Sequence, residues 1–249
     1  MLANEGVILE YKAATGEVLT YKTVADVIQT KNEAGQEFNG PNSRIEMVIE
    51  QRVTKVSGQN IDLDLCITDG SVDNGEQKTP LGTVGQVIKT TIDRSGRTLK
   101  SSLDNNMKQP SFPSGLVKIG TTWQETNPLS VPIGDSGQTT QANMEFTFKL
   151  VGLEHAQNYE VAVIESTAPA VSINIGEGVT ETIRAEGRTL FAHNAGRLVS
   201  SHVVTNIMIA AENLELKLDL TTDMELIKVN SPIMEEATPM AEESFIIGM

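Results

Sequence analysis

The chain has 249 residues, with 19 Lys and Arg against 33 Asp and Glu and a formal net charge of −14. That length buries a core without staples, and a hydrophobic content of 39% excludes wholesale disorder. The acidity argues against nucleic-acid and anionic-membrane partners, which need a basic footprint. The lone cysteine, Cys66, forms neither an internal disulfide nor a thiolate zinc site.

No run of ~18–20 apolar residues offers a membrane-spanning helix. The opening six residues, Met-Leu-Ala-Asn-Glu-Gly, have neither a basic n-region nor an apolar h-region, so the sequence as it stands carries no signal peptide. A Ser/Thr/Asn-rich, Lys-poor composition leans towards an extracytoplasmic place if such a peptide has been removed, and otherwise the expectation is cytoplasmic.

The dominant period along the chain is two. Residues 20–31 read as a short helix or equally as a strand. Residues 44–56 alternate, with Ile45, Met47, Ile49 and Val53 on one face and Glu46, Glu50, Arg52 and Thr54 on the other. A turn at 57–60 leads into Ile61, Leu63, Leu65 and Ile67, with Asp62 and Asp64 between them. The pair predicts a hairpin with one buried and one solvated face.

The next segment places Asp69, Ser71, Asp73 and Glu76 at alternating or nearby positions in a Gly-containing loop, a donor set suited to calcium. It departs from the EF-hand pattern in its glycine and in Pro80 at the twelfth position, so a polar hairpin loop is the plainer reading. Calcium is the one cofactor the sequence offers, and none is expected otherwise.

Residues 93–96 and 193–196 each end in a glycine where a short hairpin needs positive φ, and Arg97 and Arg197 then open the return strands as solvated charges. The three histidines, His155, His193 and His202, make no chelating pair. The longest alternation comes late: Leu214, Leu216, Leu218, Leu220, Met224 and Leu226 share one parity, separated by Glu215, Lys217, Asp219, Asp223 and Glu225. A slip of one residue would turn every leucine outward.

An internal repeat organises these elements. Residues 45–50 resemble 144–149, 57–63 resemble 155–161, and 93–102 resemble 193–201, while 16–23 lies beside 120–126. Similar segments in the same order at offsets near 100 predict a duplication. The expected fold is therefore mainly β, with two tandem related antiparallel units, long curved strands and little helix. Unit 1 covers residues 1–112 and unit 2 residues 113–229, with a boundary in the Pro/Gly-rich stretch at 109–115. Residues 230–249 form an acidic tail whose apolar end, Phe245, Ile246 and Ile247, is a candidate anchor on this chain or a neighbour.

Three elements carry a family resemblance: the opening strand at 16–21, the turn Asp93-Arg-Ser-Gly96, and Val117-Lys-Ile-Gly-Thr-Thr-Trp123 following a Pro-containing segment. In these the chain resembles bacterial secreted or lipoprotein-like β proteins of unknown function, loosely similar to the LolA/LolB lipoprotein-carrier superfamily. The resemblance implies a strongly curved antiparallel sheet around a hydrophobic groove, without catalysis. The chain departs from it in lacking a lipobox and a clear helix to plug the sheet.

No Gly-x-Ser-x-Gly elbow and no phosphate-binding Gly-rich loop is present, and Cys66 lies among carboxylates that disfavour a thiolate. We therefore expect no enzyme. The leading expectation is a binding module that holds an apolar ligand or a polypeptide on the face of Leu214, Leu216, Leu218, Leu220, Met224 and Leu226. The alternative is a structural subunit of a self-assembling surface, filament or virion, with homo-oligomer contacts through strand edges or the C-terminal tail.

Overall fold

The computed structural model describes residues 6–102, 110–133, 138–176 and 178–231. Phe245, Ile246 and Ile247 lie outside the described residues. The chain is antiparallel β, and no helix occurs among the described residues. In the first half the strands are β1 (Gly6–Ile8), β2 (Val18–Glu33), β3 (Gln36–Asn39), β4 (Ser43–Ser57), β5 (Asn60–Asp73), β6 (Lys78–Pro80), β7 (Val87–Asp93) and β8 (Thr98–Ser101). The second half adds β9 (Leu116–Lys118), β10 (Thr122–Ile133), β11 (Gln138–Ala156), β12 (Tyr159–Gly176), β13 (Val179–Ala192), β14 (Arg197–Ala211) and β15 (Leu214–Asn230). Residues 20–31, which fit two periods, are strand. Their register alternates without a break from Tyr21 opposite Leu226 to Lys31 opposite Leu216.

One 13-stranded sheet runs in the order β10-β11-β12-β13-β14-β15-β2-β4-β5-β7-β8, with β3 and β6 attached to β2 and β5. The late strand β15 thus joins the second half of the chain to the first, and the sheet is continuous across both. The run β2-β4-β5-β7-β8 on one side faces β10-β11-β12-β13-β14 on the other, and the segments similar in sequence occupy matching strands of the two runs. The short strands β1 and β9 precede these runs and pair with each other, Val7 opposite Val117.

Register assigns the faces. Met224 lies between Ser201 and Thr23, and Thr23 lies opposite Met47. Leu218 lies between Ile207 and Gln29 in the same way. This inner face carries Ile45, Met47, Ile49 and Val53 of β4, with Ile61, Leu63, Leu65 and Ile67 of β5 and, past a bulge, Val72. It also carries Ile183 and Ala185 of β13, Ile207 and Ile209 of β14 and the leucines of β15. The opposite, outer face carries Lys22, Asp26, Arg44, Glu46, Arg188 and His202, and exposed ion pairs such as Arg44–Asp26 at 3.0 Å. Such solvent-exposed pairs contribute little to stability.

The sheet rolls about its inner face, because both flanks enter one core. Val53, Ile61, Leu63 and Ile92 from β4, β5 and β7 share a cluster with Phe148, Leu150, Ala162, Ile164 and Phe191 from β11, β12 and β13. Two arms fill the space between the flanks: Val7, Leu9 and Tyr11 from the N-terminal segment, and Phe112 and Val117 from the connection between the two runs. Tyr11 stacks on Phe112 with ring centres 5.4 Å apart, and Phe112 lies 4.6 Å from Phe191. Trp123 donates from Nε1 to the Ser111 carbonyl at 3.0 Å, which ties the connection to the edge strand. These arms do what a plugging helix would do, without a helix.

The matched turns fix the N-terminal arm. Tyr11 N–H donates to the Arg94 carbonyl at 2.7 Å, and Lys12 N–H donates to the Gly196 carbonyl at 2.9 Å. Gly96 and Gly196 have φ of 93° and 66°, as the hairpin reading requires. Close approach is a second requirement: a Cβ on Gly196 would stand 2.3 Å from the Lys12 backbone nitrogen. Arg197 departs from its sequence expectation. It is not a solvated charge but pairs with buried Glu17 at 2.9 Å. Glu17 in turn accepts at its carbonyl from Val53 N–H at 2.9 Å, so the ion pair sits where the arm enters the sheet.

Candidate functional site

The arms cover only the end of the inner face near the hairpin turns. There Phe191, Ile164 and Leu63 are at most 1% exposed, and a cavity between Tyr11, Val53, Ile61 and Leu63 has about 10 Å³, no larger than a single water. Towards the other end the same face continues without a covering layer among the described residues. Leu216, Leu218, Leu220 and Met224 are half-buried, as are Val27, Ile45, Met47, Ile49, Ile207 and Ile209 on the neighbouring strands. Across β11–β13 the face is packed instead: Met144, Ala168, Ile173, Ile183 and Ala185 are buried in a second cluster against Phe146 and Ile207.

The predicted ligand face therefore divides. Leu216, Leu218, Leu220 and Met224 lie in the open half, and Leu214 stands at its far rim, 40% exposed. Leu226 is core: it is 4% exposed and clusters with Leu19, Tyr21 and Leu198. Alternation identified the leucines but not their neighbours, which come from β2, β4 and β14. Thr23, Ala25 and Val27 were hidden by the ambiguous period of residues 20–31.

Each interior strand of this face has partners on both sides, so its backbone groups are committed to the ladder. The open half thus offers apolar side chains, a few hydroxyls and the Gln29 amide opposite Leu218. Its charged members stand at the far end, where Glu181 lies opposite Ile209 and Lys31 opposite Leu216. Burial pushes the Glu181 carboxyl above the ordinary range. Lys31 is paired with Glu33 at 2.6 Å.

The proposed calcium donors are spread out. Asp69, Ser71 and Asp73 lie along the outer face of β5, opposite Val48, Glu46 and Arg44, at about 6.8 Å per two residues. Glu76 lies in the following turn, where Asp73 and Asn74 side chains accept from the backbone N–H groups of Gly75, Glu76 and Gln77 at 2.8–3.1 Å. No group of three His, Cys, Asp or Glu suited to a metal occurs among the described residues.

A shallow outer groove of about 530 Å³ is lined by Lys22, Arg188, His202, Asp223 and Glu225. Its charges are matched: Arg188 pairs with Glu154 at 2.8 Å and His202 Nδ1 lies 2.7 Å from Asp223. His193, at the plugged end, is buried and its imidazole is held below the ordinary value by desolvation, against the opposing charge of Glu160.

No protein-family model matches the chain, and no curated protein matches it. Among solved structures it is similar to lipovitellin, in a structure concerned with lipid–protein interactions, at 9% identity and a TM-score of 0.47. That likeness covers 91% of this chain but 27% of lipovitellin, so the chain spans about a quarter of that protein. A Bacteroides fragilis protein with a YmcC-like fold, inferred to be exported, is 12% identical with a TM-score of 0.35, over 90% of this chain and all of its own. The translocator domain of the Neisseria meningitidis autotransporter NalP gives 9% identity and a TM-score of 0.21, over 87% of this chain and 90% of that domain. At these values the likenesses carry nothing about ligand or activity.

Proposed function

We propose that this chain is a non-catalytic binding module that holds a lipid-like apolar ligand on the open half of its inner sheet face. The observation that supports it is a half-buried apolar layer crossing β4, β2, β15 and β14 that no described residue covers, continuous with a face that is densely packed elsewhere. A contiguous apolar sheet face left without cover is a candidate binding surface. A polypeptide adding as a strand would need free backbone groups, which interior strands do not offer. We read the two five-strand runs as related units of a duplication, divided near residue 112, and expect an extracytoplasmic place from the composition.

Assembly through strand edges is the second reading. Against it, the edge strand β10 contains Pro128 and Pro132, which have no N–H to donate, and the opposite edge, β8, has four residues.

The test is binding of 8-anilinonaphthalene-1-sulfonate and native mass spectrometry on the purified chain, with Leu218→Glu and Leu220→Glu as variants. The reading expects an apolar ligand retained or bound by the wild type and lost from both variants, with thermal unfolding little changed. A wild type that binds no apolar probe would sink it.

A further inference from the structure

The open half has one polar group whose environment is unexplained by the fold. Thr23 is 6% exposed, and its hydroxyl has no hydrogen-bond partner among the described residues. Burying a hydroxyl without a partner is unfavourable, so such a group calls for a reason. Register places the Thr23 side chain on the inner face, between Met224 of β15 and Met47 of β4. It therefore stands where the plugged half gives way to the open one. Both methionines are half-buried, and methionine is the apolar side chain most able to repack around a guest.

Resting on the binding reading above, we propose that Thr23 is the polar anchor of this face. Its ligand is a single-chain lipid with a neutral oxygen group, an alcohol or an ester, held at the Thr23 hydroxyl. The apolar chain runs from there past Leu220, Leu218 and Leu216 towards the rim. From the Met224 row to the Leu216 row is eight residues, about 27 Å of strand, which accommodates a long acyl chain.

Charge decides against an ionised head at Thr23. The row across the face there is Thr189, Ser201, Met224, Thr23, Met47 and Gly70, with no charged member. The buried Glu17–Arg197 pair lies below, beside Tyr21, and its two charges neutralise each other. A carboxylate or ammonium brought to Thr23 would be desolvated without a counterion. A neutral oxygen needs only the one hydrogen bond that Thr23 has to give.

The experiment displaces bound 8-anilinonaphthalene-1-sulfonate with dodecan-1-ol, dodecane and dodecanoate, on the wild type, Thr23→Val and Thr23→Ser. The wild type is expected to bind dodecan-1-ol more tightly than either of the other two. Thr23→Val should weaken dodecan-1-ol about five-fold, the worth of one net hydrogen bond, and leave dodecane unchanged. Thr23→Ser, which keeps the donor, should restore most of that affinity. Ligand-free Thr23→Val should unfold at or above the wild-type temperature, since valine removes an unpartnered hydroxyl and keeps the shape. If dodecane binds while Thr23→Val leaves dodecan-1-ol unaffected, or if dodecanoate binds the wild type most tightly, the anchor is overturned and the binding face stands. If no probe binds the wild type, both fall.

Discussion

The two halves of the inner face are built from the same strands with the same alternation, yet one is core and the other is surface. Near the hairpin turns, Phe191, Ala162 and Ile164 are sealed under Tyr11 and Phe112. On β14, β15 and β2, away from those turns, Ile207, Leu218 and Val27 have no such layer among the described residues and stay half-buried. Residue chemistry does not separate the halves. The difference lies in two arms of about six residues each, which reach only one end. An apolar sheet face becomes core or surface according to what the rest of the chain lays over it.

Truncating side chains from each half should break the comparison most visibly. Phe191→Ala removes a fully buried ring from the shared core and should cost about 3–5 kcal/mol in urea-induced unfolding. Leu218→Ala, on the open half, should cost about 1 kcal/mol or less, because the side chain is already part-solvated. Equal losses would mean that the open half is as well packed as the plugged one.

A smaller effect tests the arm itself. Gly196→Ala forces a Cβ against Lys12 in addition to the strain of a left-handed conformation, so it should cost more than about 2 kcal/mol. Gly58 also has positive φ, but a Cβ there meets nothing within 4 Å. Gly58→Ala should therefore cost only the strain, about 1 kcal/mol. Matching losses in thermal unfolding would show that the arm yields freely and does not hold the flanks together.

The smallest expected effect is in the pH dependence, where the two halves differ in sign. His193, at the plugged end, has its pKa lowered below 6.5, chiefly by burial. Its contribution is present above that value and is lost as the pH falls through the lowered one. Glu181, on the open half, has its pKa raised above 4.5 by burial. Its contribution is present below 4.5 and is lost as the pH rises through the raised value. Unfolding temperatures between about pH 4 and pH 8 should show His193→Gln flattening the first dependence and Glu181→Gln the second. A profile unchanged by either variant would remove both assignments.

Much of this architecture was legible in the sequence because period two is a local property. The parities of residues 44–56, 61–67 and 214–226 are the faces that the register shows, and Gly96 and Gly196 have the positive φ that their turns need. Residues 20–31 were ambiguous, since a mix of threonines, valines and single charges suits more than one period. That ambiguity concealed Thr23. Arg197 misled for another reason: its pairing with Glu17 is fixed by contacts 180 residues apart in the chain, which no local pattern encodes.

By itself the sequence determined a β protein whose strands alternate apolar and polar residues, because alternation follows from strand geometry wherever the strand lies. Tertiary structure decided that β15 joins the two runs into one sheet, that the sheet rolls until its flanks share a core, and where that core stops. Leu226 and Leu218 are the same residue type at the same parity on one strand. Leu226 lies in the packed end and Leu218 beyond the arms' reach, so which of them is packed and which is left open is set by the path of distant chain and not by either residue's own neighbours.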